Sequence, residues 1–266
     1  MSTAKGDTTA KGFSHGGGVL FLHAHPDDEA IFTGGTLCRL ADAGVPTTVV
    51  FATDGAPSRA HPLAAVRRAE AVAACALLGV GRTEFLGYGD SGLYGESGAA
   101  EALCAAPLVD VASRVAALVQ ASGAAAVVTY DEGGIYGHPD HLVVHRVGEW
   151  LRAEGSVPTV YEATVDREYL HFVETHLVGH AVNSLLGMEV SALNTAPLGV
   201  PTVEVSLTVD VRAQDATKRA AMAVHESQIS SDSEALTMPP ATFVGVYGFE
   251  WFVRRGPAGP LDRLAY

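Results

Sequence analysis

One stretch limits what this chain can fold into more than any other: Val19-Leu20-Phe21-Leu22-His23-Ala24-His25-Pro26-Asp27-Asp28-Glu29. Its apolar residues, broken only by His23, read as a buried strand. Pro26 cannot donate to a sheet ladder, so the strand ends at or near His25. Asp27, Asp28 and Glu29 suit the first turn of a following helix, where the macrodipole favours negative charge. That accounts for their position only. Three adjacent acids beside a histidine repel one another, and a bound cation removes that cost, so the donors favour a metal site over a plain helix start.

From Val19 to about Thr164 strand and helix patterns alternate. A helix over 29–43 stops at Gly44, with Gly34-Gly35 allowing close approach to a sheet. Strands are expected at 47–52, 83–87, 125–130 and 159–163. Leu63, Val66, Ala73 and Leu77 share one helix side, Leu108, Val111, Val115 and Leu118 another, and a third helix covers 141–153. Such alternation predicts an α/β fold: a Rossmann-like, doubly wound, mainly parallel sheet with helices on both faces. After it, a long helix at Tyr169–Met188, a strand at Val203–Val211, a helix at Ala216–Gln228 and a short aromatic strand at Gly248–Val253 form an α+β C-terminal extension over one sheet edge. Residues 1–18 read as a flexible lead-in and 19–266 as one domain, divided into a core at 19–164 and an extension at 165–266 that shapes the substrate pocket.

Composition excludes several classes of partner. With 17 Lys and Arg against 30 Asp and Glu, the formal charge of −13 argues against binding a phosphate backbone. No apolar run is long enough to span a bilayer, and the first 18 residues lack an apolar signal core. Cys38, Cys75 and Cys104 are odd in number and far apart, which fits reduced thiols and a cytoplasmic location. Oligomeric state is left open by the sequence.

A second cluster, Asp131-Glu132-Gly133-Gly134-Ile135-Tyr136-Gly137-His138-Pro139-Asp140-His141, follows the fourth strand. In doubly wound sheets ligands bind beyond the carboxyl ends of strands, where strand order reverses. With the order 3-2-1-4-5, the first and fourth strands are neighbours at that point, so the two clusters face each other. Two histidines and one carboxylate with an open position have the composition of a catalytic zinc site.

The pair His25-Pro26-Asp27-Asp28-Glu29 and His138-Pro139-Asp140-His141 resembles the signature of the LmbE/PIG-L family of zinc-dependent N-acetyl-sugar deacetylases, over Val19 to about Trp150 and more weakly in His225-Glu226-Ser227-Gln228. The resemblance implies Zn2+ held by His25, Asp28 and His141, with Asp27 as general base. It makes His138 the acid or electrophile near the leaving amine, Asp140 the residue that tunes His138, and Tyr136 a support for the oxyanion. Arg67, in Arg67-x-x-Glu70, and Asp90 match sugar-holding positions, and His225 falls at the substrate rim. The implied activity is hydrolytic removal of an N-acetyl or other N-acyl group from an amino sugar or glycoconjugate. The alternatives are an amidase acting on a sugar-linked thiol conjugate at the same site, a ferrous oxygenase, and a non-catalytic binding module. The oxygenase usually spaces its first His and acid by one residue, where two intervene here. The module would be expected to have lost a ligand or Asp27.

Other conspicuous residues have plainer readings. His23 shares a strand face with His25 and reads as a hydrogen-bonded core histidine. His145 reads as core or solvated, His176 and His180 lack a nearby acid, and Trp150, Trp251 and Phe252 read as packing.

Overall fold

Gly18–His23 forms β1, which is an interior strand of the sheet and is buried along its whole length. The computed structural model of the chain describes residues 17–93, 100–178 and 198–266, so most of the expected lead-in lies outside the described residues. The chain continues through α1 (Asp28–Asp42), β2 (Thr47–Thr53), α2 (Pro62–Leu77), β3 (Arg82–Tyr88), α3 (Leu108–Ser122) and β4 (Ala124–Tyr130). A single turn, α4 (Gly134–Gly137), leads into α5 (Pro139–Ala153) and β5 (Thr159–Thr164). Then come α6 (Arg167–Val173), β6 (Leu207–Asp210), α7 (Asp215–Val224), α8 (Glu234–Thr237), α9 (Pro240–Tyr247) and β7 (Phe249–Arg255).

The seven strands run in the order β3-β2-β1-β4-β5-β7-β6. The first five strands are parallel, and β7 and β6 join antiparallel. The chain winds outward from β1 to β3 and then returns to β4, so strand order reverses between β1 and β4. Crossovers of one hand in opposite directions place their helices on opposite faces. Accordingly α1, α2 and α7 pack together, as do α3 and α5. One contiguous apolar core runs from Val19 to Leu264.

The extension differs from its sequence reading in three places. The helix expected at Tyr169–Met188 is α6 followed by a wider π-type turn at Glu174–Val178, and its remainder lies outside the described residues. The strand expected at Val203–Val211 shortens to Leu207–Asp210, because Thr202–Glu204 winds into a tight 3-10 turn. The extension also lengthens the sheet beyond β5, pairing β7 with it along Thr164↔Trp251, where an edge cover was expected. Gly35 follows the same pattern. A Cβ there would sit 2.3 Å from the Val211 side chain, so its close approach serves the extension and not the parallel core.

Candidate active site

β1 and β4 end side by side, and each is followed by a turn that carries one non-glycine residue at positive φ. These are Asp27 (φ 123°) and Ile135 (φ 63°), the only two among the described residues. Such conformations cost about 1–3 kcal/mol and persist where surrounding contacts over-determine them. Asp27 occupies the N-cap position of α1, yet its side chain makes no capping bond. Its carboxylate meets Arg67 Nη2 at 3.2 Å instead. At the second turn the Asp131 carboxylate accepts from the Ile135 amide (2.9 Å), and the Gly199 amide donates to the Ile135 carbonyl (2.7 Å).

The donor atoms of His25, Asp28 and His141 lie within 4.8 Å of one another and all three residues are buried. Asp28 Oδ2 is 3.5 Å from His25 Nδ1 and 3.4 Å from His141 Nε2. That oxygen also accepts from the His25 amide (2.8 Å) and the Tyr130 hydroxyl (2.8 Å). Burial alone would raise the Asp28 carboxyl, but the His141 and His25 rings hold it well below the usual range. Two imidazole nitrogens and a carboxylate converging this closely fit a divalent metal with nitrogen and oxygen ligands.

His25 turns its other nitrogen, Nε2, to the Asp140 carboxylate at 3.1 Å. A carboxylate behind a histidine ligand fixes the ring and its tautomer. Asp140 is fully buried and accepts from both the backbone amide (2.9 Å) and the hydroxyl of Ser91. It was expected to tune His138. Its carboxylate bonds His25 and also acts on His138 by its charge, which raises that ring, while its hydrogen bond to His138 runs through its own amide, which donates to His138 Nδ1 at 3.1 Å. The reason is helical geometry: His138 is the N-cap of α5, so its ring nitrogen takes up a first-turn amide. With Nδ1 accepting, a neutral His138 carries its proton on Nε2, which lies 3.9 Å from Asp90 Oδ1. Burial, together with the His25 and His141 rings, lowers His138 to about 3.

Asp27 keeps 19% of its side-chain surface, against 5% for Asp28, so it is the carboxylate of the pair that solvent can reach. Burial, opposed by Arg67 and reinforced by Asp28, lifts it to about 6. Tyr136 places its hydroxyl 3.5 Å from His141 Nε2, and Asp90 lies 3.6 Å from His25 Nε2 with its side chain 21% exposed. Both therefore face the cluster. Arg67 and His225, expected at the substrate, are both buried in the structure. Arg67 is buried and donates to Gly55 O (2.7 Å) and Pro26 O (2.5 Å) as well as to Asp27. The His225 ring is completely buried against Glu29, with Nε2 2.6 Å from Oε1.

Tyr130 and Ser91 escaped sequence reasoning. Tyr130 closes an apolar strand run and reads as core, but its hydroxyl accepts from the Ala24 amide (3.0 Å), meets His23 Nδ1 (3.1 Å) and donates to Asp28. Its only signal is a tyrosine at a strand end beside a ligand-bearing strand. His23 is confirmed as a hydrogen-bonded core residue, bridging Tyr130 and the Thr33 hydroxyl (3.0 Å). His145 faces Tyr130 O (3.1 Å), Glu149 (3.5 Å) and Glu162 (3.6 Å).

Comparison with known proteins gives this constellation its family. The family model described as PIG-L, GlcNAc-PI de-N-acetylase, matches residues 20–150, which includes both strand-end motifs. A 1D-myo-inositol 2-acetamido-2-deoxy-alpha-D-glucopyranoside deacetylase from Salinispora arenicola is 33% identical over 271 residues, covering 91% of this chain and 87% of that protein. The chain belongs to the PIG-L family. It is an N-deacetylase with a His/Asp cluster able to hold a metal ion. Among solved structures, an N,N'-diacetylchitobiose deacetylase from Pyrococcus horikoshii superposes with a TM-score of 0.58 at 24% identity, covering 92% of this chain and 88% of that one. A 4-carboxy-2-hydroxymuconate hydratase from Pseudomonas putida also reaches 0.58, at 16% identity, covering 92% and 98%. These two likenesses concern the fold, and since they carry different reactions, the PIG-L assignment rests on sequence family and site chemistry. The amidase alternative is not favoured by these relatives.

Proposed function

We propose that this PIG-L protein is a zinc enzyme that hydrolyses the N-acetyl group of a small N-acetylglucosamine glycoside, with an inositol-linked sugar as the first candidate substrate. The observation that carries this reading is the meeting, at one strand-order reversal, of the His25/Asp28/His141 triangle with a reachable, elevated carboxylate on Asp27. The inositol-linked candidate comes from the name of the Salinispora relative. Zinc held by His25, Asp28 and His141 would supply Lewis acidity, activating water at neutral pH and polarising the acetyl carbonyl.

The chain's own residues divide the remaining work. Asp27 accepts a proton from the attacking water, as a base whose pKa sits near the working pH does best. Its neighbour Asp28, already bonded by Tyr130 and the His25 amide, is kept ionised for the metal. His138 works as an electrophile, directing its Nε2–H at developing negative charge, since its low pKa keeps it neutral. The Tyr136 hydroxyl is the second donor on that side. As the C–N bond breaks, the proton held by Asp27 is the one available to the leaving amine. Asp90, partly exposed beside His25, accepts a sugar hydroxyl. Three free cysteines support a cytoplasmic location.

The test is primary-amine release from the inositol glycoside and from N-acetylglucosamine, using metal-stripped protein with zinc restored. Zinc-dependent release of one amine and one acetate per turnover is expected. Full activity after exhaustive metal removal would defeat the reading.

A further inference from the structure

Two sequence segments remain outside the chemistry just described, Arg67-x-x-Glu70 on α2 and His225-Glu226-Ser227-Gln228 after α7. The structure joins them around Asp27. The Asp27 amide donates to Glu29 Oε2 (2.9 Å), and the other Glu29 oxygen meets His225 Nε2 (2.6 Å). Two residues on, Ser227 donates from its amide and hydroxyl to the two Glu70 oxygens (2.9 and 2.6 Å). Glu70 lies one helical turn beyond Arg67, and Arg67 returns to Asp27 Oδ2 and the Pro26 carbonyl. Four contacts and two short stretches of chain, His225 to Ser227 and Arg67 to Glu70, thus close a ring: Asp27, Glu29, His225, Ser227, Glu70, Arg67 and back to Asp27.

We infer that this ring is a positioning device that holds the Asp27 turn in its positive-φ conformation, so that the C-terminal extension orients the base. Four features support it. Asp27 carries the larger φ of the two non-glycine outliers, and no side-chain cap of its own holds it there. Glu29 and His225 are both completely buried, so neither can touch substrate directly. The Glu29 contact is the polar bond the His225 ring makes, while its Nδ1 is buried without a partner among the described residues. The turn carrying His225 is itself braced, its carbonyl accepting from the Gln228 and Ile229 amides (2.9 and 2.7 Å). A histidine kept at the cost of an unpaired buried nitrogen, 196 residues from its partner, is placed for that one contact. Its Nε2–H fixes one Glu29 oxygen so that the other stays aimed at the Asp27 amide.

This inference rests on Asp27 being the base, and the experiment separates the two claims. His225→Gln and His225→Met have the same length, but only glutamine can donate to Glu29. Each is made in the wild-type and Asp27→Asn backgrounds, and kcat, KM, bound zinc and melting temperature are measured with the N-acetylglucosamine glycoside. His225→Met is expected to lower kcat by roughly 10- to 100-fold, as for a displaced reacting group. KM and zinc content should be unchanged, and His225→Gln should recover most of the rate. In the Asp27→Asn background His225→Met should bring no further loss, because the group it positions is gone. A raised KM with kcat intact would return His225 to substrate binding. Equal rates for Met and Gln, or losses that multiply with Asp27→Asn, would reduce the ring to scaffolding and leave the base assignment standing. If Asp27→Asn alone kept the wild-type rate, both claims would fall together.

Discussion

The turns after β1 and β4 perform the same task by different means. Each ends a buried interior strand, starts a helix and delivers residues of the His/Asp cluster, and each contains a backbone that a non-glycine residue rarely adopts. After β4 the strained residue is Ile135, a buried apolar side chain flanked by Gly134 and Gly137 at positive φ. Its hold includes a local one, the Asp131 carboxylate four residues earlier. After β1 the strained residue is Asp27, the proposed base, and its turn is held by buried side chains from α1 and α2, backed by His225. A local device suffices where the turn only has to present His138 and His141. Distant partners are used where the strained residue is itself the proposed base, and two of them, Arg67 and His225, also temper the rise that burial imposes on its carboxyl.

The sharpest way to break this comparison is to remove what the two turns share. His25→Ala, Asp28→Ala or His141→Ala should each lose bound metal and all measurable turnover, since three protein ligands leave no spare. Elemental analysis retaining one zinc in all three variants, with normal rates, would place the site elsewhere. Next in size is Asp27→Asn, which keeps the ligands and the shape of the turn. It should retain metal and lose roughly 10²–10⁴-fold in kcat, as for a missing general base. A metal-free but folded variant would exchange the roles of Asp27 and Asp28.

The link between the turns can be tested through pH. His23 joins Thr33 on α1 to Tyr130 at the end of β4, and burial lowers it to about 4. The unfolded chain takes up a proton as pH falls below the ordinary histidine value, while the folded chain resists until about pH 4. Stability contributed by neutral His23 is therefore present above that window and lost on descending through it, by up to about 3 kcal/mol. Denaturant melts of wild type and His23→Gln between pH 7 and pH 4 should converge as pH falls. Parallel pH dependences would show that His23 does not carry the effect. The smallest change expected is at the second turn. In Gly134→Ala, a Cβ would sit 2.9 Å from the His141 Cβ at φ +60°, pushing the ligand out of line. Metal affinity should weaken by roughly 10- to 100-fold, while Asp27 and its ring stay intact. Unchanged affinity in a metal-competition titration would mean that the second turn is more pliable than its glycines suggest.

Much of this was legible in the residues. The apolar run Val19–Leu22 and the proline after His25 placed β1, and alternating strand and helix patterns placed the parallel sheet. Both rest on local periodicity, which needs no knowledge of distant partners. The grouping of His25, Asp28 and His141 was legible because strand order puts β1 beside β4. The extension was less so: the helix pattern from Tyr169 gives way to a π-type turn at Glu174–Val178, and the strand at 203–211 is shortened where a tight turn overrode local pattern.

What the sequence by itself determined is the set of reactive groups and the strand ends that carry them, because residue type and short-range spacing control both. What only tertiary structure decided is the partner of each group. Asp140 bonds His25, Arg67 grips the Asp27 turn, Tyr130 holds Asp28, and His225 reaches Glu29 across most of the chain. Hydrogen bonds between buried side chains depend on ångström-scale geometry among elements far apart in sequence. That geometry exists only once the helices have packed on the sheet.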